Sequence, residues 1–161
     1  MTVVVALATV SGSYMGADSI SVDDDGLYAS VATLKVRQIG DLLVGFAGNW
    51  RAGYLAFKSL ERMANPSVEQ FVNQFPSDTK EWSLLFIENG KVYEVDDEKS
   101  ITEARADKDG AYAAIGSGTA VALGALYTDH IDKKSVLNAL MATEAHFTGV
   151  RSPFTVLELQ H

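Results

Sequence analysis

The sequence predicts an α+β fold in which antiparallel sheets are stacked on each other and covered by helices. Strand patterns come in pairs joined by short turns, and helix patterns also come in pairs. Strict alternation of strand and helix, which would indicate a doubly wound parallel sheet, is not the pattern of this chain. The 161 residues contain no Pro-, Gly- or Ser-rich linker, so residues 1–161 are expected to form a single domain.

The first half of the chain opens with four predicted strands. Val3 to Ala8 is a short β-branched apolar run, which is typical of a strand buried on both faces. A turn that contains Gly12 joins it to a second strand, Tyr14 to Ser19. Ala32 to Ile39 alternates between apolar and polar residues, and Leu42 to Ala47 is again apolar. These two segments predict a further pair of strands.

Two helices are predicted next. Asn49 is the N-cap candidate of a helix that continues to Ala64, where Asn65-Pro66 stops it. Ser67 is placed to cap a second, short helix over residues 68–75. Both helices therefore begin at a side chain that can accept a hydrogen bond from a free backbone N–H group.

The second half of the chain has the same organisation. Asn89-Gly90 is the dipeptide most typical of a two-residue turn and predicts a hairpin. Residues 97–110 are charged and lack a clear period, which predicts a loop with room for one strand. The other predicted elements are strands at 82–88, 91–96, 111–115 and 154–159 and helices at 119–127 and 133–145, the last capped by Asp132.

Composition excludes several classes of function. The chain has 13 Lys and Arg residues against 21 Asp and Glu residues, a formal net charge of -8, which argues against nucleic acid as a partner. It has no Cys, so a disulfide scaffold and a Cys-ligated zinc site are excluded. His130, His146 and His161 are scattered along the chain, so we predict neither a metal site nor a cofactor.

No targeting or membrane segment is expected. The first basic residue is Lys35, whereas a secretory signal carries positive charge near its start. The apolar run from Val3 to Ala8 is far shorter than the roughly 20 residues that cross a membrane. We therefore expect a soluble cytoplasmic protein with no membrane partner.

Two Gly-containing segments match ligand loops only in part. Gly116-Ser117-Gly118 lies between a strand and a helix, but Val121 replaces the third Gly of a dinucleotide loop and Ile115 replaces the first Gly of a nucleophile elbow. Asp23-Asp24-Asp25-Gly26 lacks the acidic residue that closes a calcium loop, since position 34 is Leu. On these patterns alone both segments are interpreted as turns.

Thr2 has the most distinctive chemistry in the chain. An initiator Met followed by a small residue is often removed, which would leave Thr2 as the amino terminus. Such a Thr carries nucleophile and base together, because its hydroxyl attacks while its own α-amine takes the proton. The amine has a reference pKa of about 7.7, which a nearby Lys ammonium would lower. The site also needs a carboxylate to hold that Lys and N–H donors for the oxyanion.

Six short segments spread over most of the chain form one pattern. They are Thr2-Val3-Val4-Val5-Ala6, Gly16-Ala17-Asp18-Ser19, Lys35-Val36-Arg37, Gly45-Phe46-Ala47-Gly48, Ala114-Ile115-Gly116-Ser117-Gly118 and Ser152-Pro153-Phe154-Thr155-Val156. The pattern resembles the proteasome β-subunit and HslV group of N-terminal-nucleophile (Ntn) hydrolases. The sixteen-residue step from Thr2 to Asp18 is the spacing that this group uses.

The resemblance implies a four-layer αββα sandwich and a role for each of five residues. Thr2 would act as nucleophile and base. Lys35 would lower the pKa of the Thr2 amine, and Asp18 would orient Lys35. Ser117 would support proton transfer, and the Gly48 amide would form the oxyanion hole.

The resemblance also implies an activity and partners. It implies a threonine-type peptidase that needs no cofactor or metal and cleaves unfolded polypeptides. The chain would form a homo-oligomeric ring, a hexamer or heptamer that can stack on a second ring. An ATP-dependent unfoldase would deliver the substrate.

Two departures from the family pattern keep other functions open. The second carboxylate of the family would fall at Ala145, and Asn49 replaces a Gly that follows Gly48 in the family. If Met1 is retained, Thr2 has no free amine, and the alternative is a catalytically inactive proteasome-like ring or assembly protein. A third possibility is an amide hydrolase of the same superfamily that acts on small substrates.

Overall fold

Two antiparallel sheets that pack face to face form the centre of the molecule. The computed structural model describes residues 2–19, 21–22, 28–29, 34–76 and 78–160. The strands are β1 (Val3–Ala8), β2 (Gly12–Ala17), β3 (Ser21–Val22), β4 (Tyr28–Ala29), β5 (Val36–Ile39), β6 (Leu42–Gly48), β7 (Trp82–Glu88), β8 (Lys91–Asp96), β9 (Ile101–Glu103), β10 (Ala111–Gly116) and β11 (Thr155–Gln160). The helices are α1 (Trp50–Glu61), α2 (Val68–Gln74), α3 (Thr119–Thr128) and α4 (Lys133–His146).

The strand order explains how distant segments of the chain meet. The first sheet has four strands in the order β10-β1-β2-β11, and the second has five in the order β5-β6-β7-β8-β9. All of the strand pairs described are antiparallel. Strand β1 therefore lies between its sequence neighbour β2 and the distant strand β10.

Three apolar clusters divide the molecule into four layers. One cluster fills the space between the two sheets and includes Val4, Met15 and Leu85. A second joins α1 and α2 to the outer face of the five-stranded sheet, and a third joins α3 and α4 to the outer face of the four-stranded sheet. The predicted αββα arrangement is therefore confirmed.

Strand β1 is buried on both of its faces, as its sequence predicts. All six residues of the strand are buried. Its side chains alternate between the cluster of the helix side, which contains Val3 and Val5, and the cluster between the sheets, which contains Val4 and Ala6. A β-branched apolar run fills such a position because neither face of the strand meets water.

The predicted helix caps are confirmed. The Asn49 side chain accepts a hydrogen bond from the Ala52 N–H group, and the Ser67 hydroxyl accepts one from the Gln70 N–H group. Asp132 caps α4 through a capping box. Its carboxylate accepts a hydrogen bond from the Ser135 N–H group, and the Ser135 side chain accepts one from the Asp132 N–H group. These contacts satisfy N–H groups that have no partner inside the helix.

The predicted β7–β8 hairpin and its turn are confirmed, and several other boundaries shift. Asn89 and Gly90 both adopt positive φ, as the turn between these strands requires. Strand β2 covers residues 12–17 and not 14–19, because the tight turn closes earlier, through a hydrogen bond from the Thr9 N–H group to the Gly12 carbonyl. The loop over residues 97–110 does contain one strand, β9.

Some predictions concern residues beyond the described ranges. The acidic turn at 23–26 and the beginning of the strand predicted from residue 32 lie outside them, as do Met1 and His161. The short pair β3–β4 was not predicted from the sequence. No helix in the part of the chain that the structure describes is long and apolar enough to cross a membrane.

Candidate active site

Three of the predicted site residues lie at one end of the four-stranded sheet. Thr2 precedes β1, Asp18 follows β2 and Ser117 follows β10. Because both neighbours of β1 run antiparallel to it, the start of β1 lies beside the ends of β2 and β10. Residues that are far apart in the sequence are therefore brought together by strand pairing alone.

Lys35 reaches this end of the molecule from the other sheet. It directly precedes β5, and its carbonyl accepts a hydrogen bond of 3.0 Å from the Phe46 N–H group. Its Nζ lies 3.0 Å from Asp18 Oδ1. The Lys35 side chain is 1% exposed and that of Asp18 is fully buried, so the ion pair joins the two sheets in the interior.

The ion pair is fastened to the backbone next to Thr2. Asp18 Oδ1 accepts a second hydrogen bond, of 3.1 Å, from the Val3 N–H group. The Val3 nitrogen belongs to the peptide bond that Thr2 begins. Two hydrogen bonds that share one carboxylate oxygen therefore connect the Lys35 ammonium to this peptide bond.

Burial changes the acid–base properties of Lys35. Removal from water lowers the pKa of its ammonium, and the charge and hydrogen bond of Asp18 oppose that change without cancelling it. A buried cation beside a carboxylate is costly to leave unpaired, so the two groups hold each other in place. The pair therefore sets a positive charge in the low-dielectric interior beside the start of β1.

Ser117 contacts Thr2 twice. The Thr2 nitrogen donates to Ser117 Oγ over 3.3 Å, and the Ser117 hydroxyl donates to the Thr2 carbonyl over 3.3 Å. Gly116 makes this approach possible because its φ is +98° and a methyl group there would lie 2.1 Å from the Thr2 carbonyl oxygen. The Gly-Ser-Gly turn is thus fitted to the backbone of Thr2.

Gly48 ends β6 near the same turn. Its φ is +94°, and a methyl group there would lie 2.1 Å from the Glu81 carbonyl oxygen. That carbonyl accepts a hydrogen bond of 2.9 Å from the Asn49 N–H group. Gly48 and Gly116 both line an open cavity of about 330 Å³. The cavity therefore lies beside the ends of β6 and β10, where Gly48 and Gly116 end their strands.

The region expected to supply a second carboxylate has different contacts. Ala145 is exposed near the end of α4. Oε1 of the neighbouring Glu144 accepts hydrogen bonds from the Ser152 N–H group over 2.8 Å and from the Ser152 hydroxyl over 3.1 Å. Among the described residues, the hydrogen bonds of Glu144 thus go to the loop before β11 and not to Ser117.

Two contributors to the site were not predicted from the sequence. The Val3 amide holds Asp18, and Gly116 lets Ser117 approach Thr2. The Gly-Ser-Gly pattern marked the second of these as a turn. The first carries no sequence signal, because any residue except Pro supplies the same N–H group.

Comparison with known proteins gives the fold and not the activity. No family model matches the chain, and no curated protein matches it in sequence. Among solved structures, eukaryotic HslV from Trypanosoma brucei has a TM-score of 0.81 at 19% identity, with 99% of both chains covered.

Two further structures give the same result. BPH from Thiobacillus denitrificans, in complex with epoxomicin, has a TM-score of 0.78 at 18% identity, with 98% of both chains covered. Anbu (ancestral beta-subunit) from Yersinia bercovieri has a TM-score of 0.72 at 18% identity, covering 98% of this chain and 81% of that one. The chain therefore has the proteasome-like Ntn-hydrolase fold.

Proposed function

We propose that the chain is an N-terminal threonine peptidase that uses Thr2 after removal of Met1. The observation that carries the proposal is the buried Lys35–Asp18 ion pair, which is hydrogen-bonded to the backbone next to Thr2. A buried charge pair at the end of a sheet stabilises a fold poorly compared with apolar residues of the same size. Activation of the Thr2 amine would give this pair a function.

The proposed reaction begins at the Thr2 hydroxyl. Its oxygen attacks the carbonyl carbon of a substrate peptide bond while its proton passes to the α-amine. With a reference pKa of about 7.7, roughly one-sixth of that amine is neutral at pH 7. The Lys35 ammonium raises this fraction by disfavouring a second positive charge nearby, and Asp18 keeps Lys35 oriented.

The remaining steps return the enzyme to its starting state. The carbon–nitrogen bond of the substrate breaks, the leaving amine takes the proton, and an ester joins the substrate to Thr2. Water then attacks the ester carbon, the bond between that carbon and the Thr2 oxygen breaks, and the acyl part of the substrate leaves as a carboxylic acid. The proton that water gives up returns to the Thr2 oxygen. In this proposal Ser117 relays protons near the amine, and the Gly48 N–H group stabilises the negative oxygen of each tetrahedral intermediate.

Ring assembly belongs to the same proposal. Apolar side chains are exposed on the outer helices, with Tyr54 and Leu55 on α1 and Leu137 and Met141 on α4. Leu137 and Met141 are one helical turn apart and form a continuous apolar strip. We propose that such surfaces join copies of the chain into a hexameric or heptameric ring that can stack and can receive unfolded polypeptide from an ATP-dependent unfoldase. The mass of the native particle checks the assembly.

The contacts of Glu144 favour a second candidate, an inactive ring or assembly protein that retains Met1. The family's second carboxylate would fall at Ala145, and the neighbouring Glu144 binds Ser152. Without that carboxylate and without a free Thr2 amine, the fold would serve assembly alone.

The intact mass and the peptidase activity decide between the two candidates. The threonine peptidase requires a chain that begins at Thr2 and cleaves peptides or an unfolded protein such as casein. Thr2→Ala should lower kcat/KM at least about a thousandfold, because it removes the nucleophile. Thr2→Ser keeps the hydroxyl and amine and should retain activity. Ala and Ser are both small, so Met1 removal is equally available in the two variants.

Epoxomicin offers a second probe, since the BPH neighbour was solved in complex with it. Wild-type protein should bind it and Thr2→Ala should not. A chain that retains Met1, cleaves no substrate and still forms rings would support the inactive candidate. A chain that begins at Thr2 and cleaves nothing would contradict the peptidase proposal.

A further inference from the structure

A second group of polar side chains lies at the end of the sandwich opposite to Thr2. Asp107 and Asp109 belong to the loop that leads into β10, and His130 follows α3. β1 pairs with β10 from Val3 to Ala8, and Ala8 lies opposite Ala111. Five residues of strand separate the two ends by about 17 Å. This group is therefore independent of the proposed peptidase site.

His130 is held with one ring nitrogen directed at a carboxylate. Its Nδ1 lies 2.7 Å from the Leu126 carbonyl oxygen, which can only accept, so Nδ1 carries a hydrogen. Its Nε2 lies 3.0 Å from Asp107 Oδ2. The ring is 11% exposed and packs against Tyr112 with centroids 4.8 Å apart. A backbone carbonyl on the far nitrogen is the usual way in which a metal-ligating histidine is oriented.

The two carboxylates come from one rigid turn. Asp107 Oδ1 accepts the N–H groups of Asp109 over 2.8 Å and Gly110 over 3.1 Å. The turn is held against β1, since a methyl group at Gly110 would lie 2.3 Å from the Ala8 carbonyl oxygen. One ligand atom from each of Asp107, Asp109 and His130 lies within 4.8 Å of the others.

We propose that Asp107, Asp109 and His130 bind a divalent transition-metal ion of the Zn²⁺ type. Ligand atoms at about 2.0–2.1 Å from a tetrahedral zinc stand roughly 3.3 Å apart, close to the separation already present between Nε2 and Oδ2. Asp109 is exposed and can close the remaining distance by rotating its side chain. An imidazole ligand favours zinc-type ions over magnesium or calcium, which prefer sites made of oxygen alone.

The surroundings leave space for further ligands and give the ion a structural effect. Asp107 and Asp109 line an open cavity of about 380 Å³ together with Thr9, Asn89 and Gly90. Water from this cavity can complete the coordination, as three protein ligands and one water suffice for zinc. The ion would connect the loop before β10 to the end of α3, which stabilises the folded chain.

An ion pair between His130 and Asp107, with no metal ion, would explain part of this geometry. A substitution at Asp109 distinguishes this ion pair from a metal site. Its carboxylate makes no contact in that pair, so Asp109→Asn leaves the pair intact and removes one metal ligand. Asp41→Asn is the matched control, because Asp41 is an exposed aspartate of the β5–β6 turn outside the group.

The test measures Zn²⁺ binding to the metal-stripped full chain by calorimetry and thermal unfolding. We expect one ion per chain and a Tm rise of about 5 to 10 °C at hundredfold excess over Kd. Asp109→Asn should weaken binding about tenfold or more, while Asp41→Asn should bind like the wild type. Ca²⁺ should give no comparable shift.

Three results would overturn the proposal. They are the lack of saturable Zn²⁺ binding by the wild type, equal affinity in Asp109→Asn and the wild type, and equal binding of Ca²⁺ and Zn²⁺. His130→Gln removes a different ligand and should also abolish the rise in Tm that Zn²⁺ causes. If that variant does not fold, Asp109→Asn alone decides.

Discussion

At the residue scale, the sequence predicts which site residues lie together where their spacing along the chain places them at the same end of a hairpin. Thr2 and Asp18 flank a hairpin, so their separation along the chain determines that both lie at one end of it. Lys35 could be assigned only through the family resemblance, because the contact between two sheets has no period in the sequence. The Asp107–Asp109–His130 group was missed for the same reason, since 23 residues separate Asp107 from His130.

The low pKa of Lys35 predicts the alkaline limit of activity. Because desolvation lowers this pKa, the ammonium should lose its proton, and the enzyme its activity, at a pH below the ordinary lysine value of about 10.4. Asp18 raises the Lys35 pKa, so Asp18→Asn should lower it further. The alkaline limb of kcat/KM should then move by about one pH unit or more to lower pH.

The Asn side chain can still accept the Val3 N–H hydrogen bond, so the backbone contact is kept in this variant. Asp41→Asn is a control of equal charge change at the opposite end of β6. NMR titration of the Lys35 side chain measures the same shift without relying on activity. A limb that stays in place or moves to higher pH would contradict the assigned role of Asp18.

At the element scale, local chemistry determined most of what could be predicted. Caps at Asn49, Ser67 and Asp132 and the turn at Asn89-Gly90 depend on neighbouring residues alone, and all four are present. The pair β3–β4 has only two residues per strand, too few for an alternating pattern to be recognised. The ends of β2, β6, β10 and β11 shifted by one or two residues, because pairing with a neighbouring strand, and not propensity, decides where a strand stops.

The turn between β10 and α3 gives a prediction for Gly116→Ala. The positive φ and the 2.1 Å approach to the Thr2 carbonyl leave no room for a methyl group. We expect a loss of about 1–3 kcal/mol in the free energy of unfolding, measured by urea denaturation, and a strong loss of peptidase activity as Thr2 is displaced.

Gly124→Ala in the adjoining α3 is the matched control for this turn. A methyl group at Gly124 meets no atom within 4 Å, so the change acts only on helix propensity. It should raise the free energy of unfolding by up to about 1 kcal/mol. Equal effects of the two substitutions would show that the Gly116 turn does not constrain Thr2.

At the scale of the whole molecule, the sequence predicts the layers but not the strand order. Paired strands and paired helices with apolar faces require stacked sheets covered by helices. The pairing of β1 with β10 and of β2 with β11 joins residues more than a hundred positions apart. No local pattern specifies such a pairing, so the strand order had to come from the structure.

The packing between the sheets positions the site, because Lys35 comes from one sheet and Asp18 from the other. At Gly45 the sheets are so close that a methyl group would lie 2.5 Å from Val4 Cγ1 and 3.1 Å from Met15 Sδ. Gly45→Ala should therefore lower the free energy of unfolding by about 1–3 kcal/mol. It should also reduce activity, because forcing the sheets apart stretches the Lys35–Asp18 contact.

A double-mutant cycle tests whether this steric contact is the cause. Val4→Ala alone destabilises the chain by removing buried methyl groups, but it frees the space that the methyl group added by Gly45→Ala would need. The double variant Val4→Ala/Gly45→Ala should therefore be more stable than the sum of the two single effects allows, by about 0.5–3 kcal/mol. Urea denaturation of the four proteins measures this coupling. Additive effects would mean that Val4 is not the contact that resists the methyl group added at Gly45.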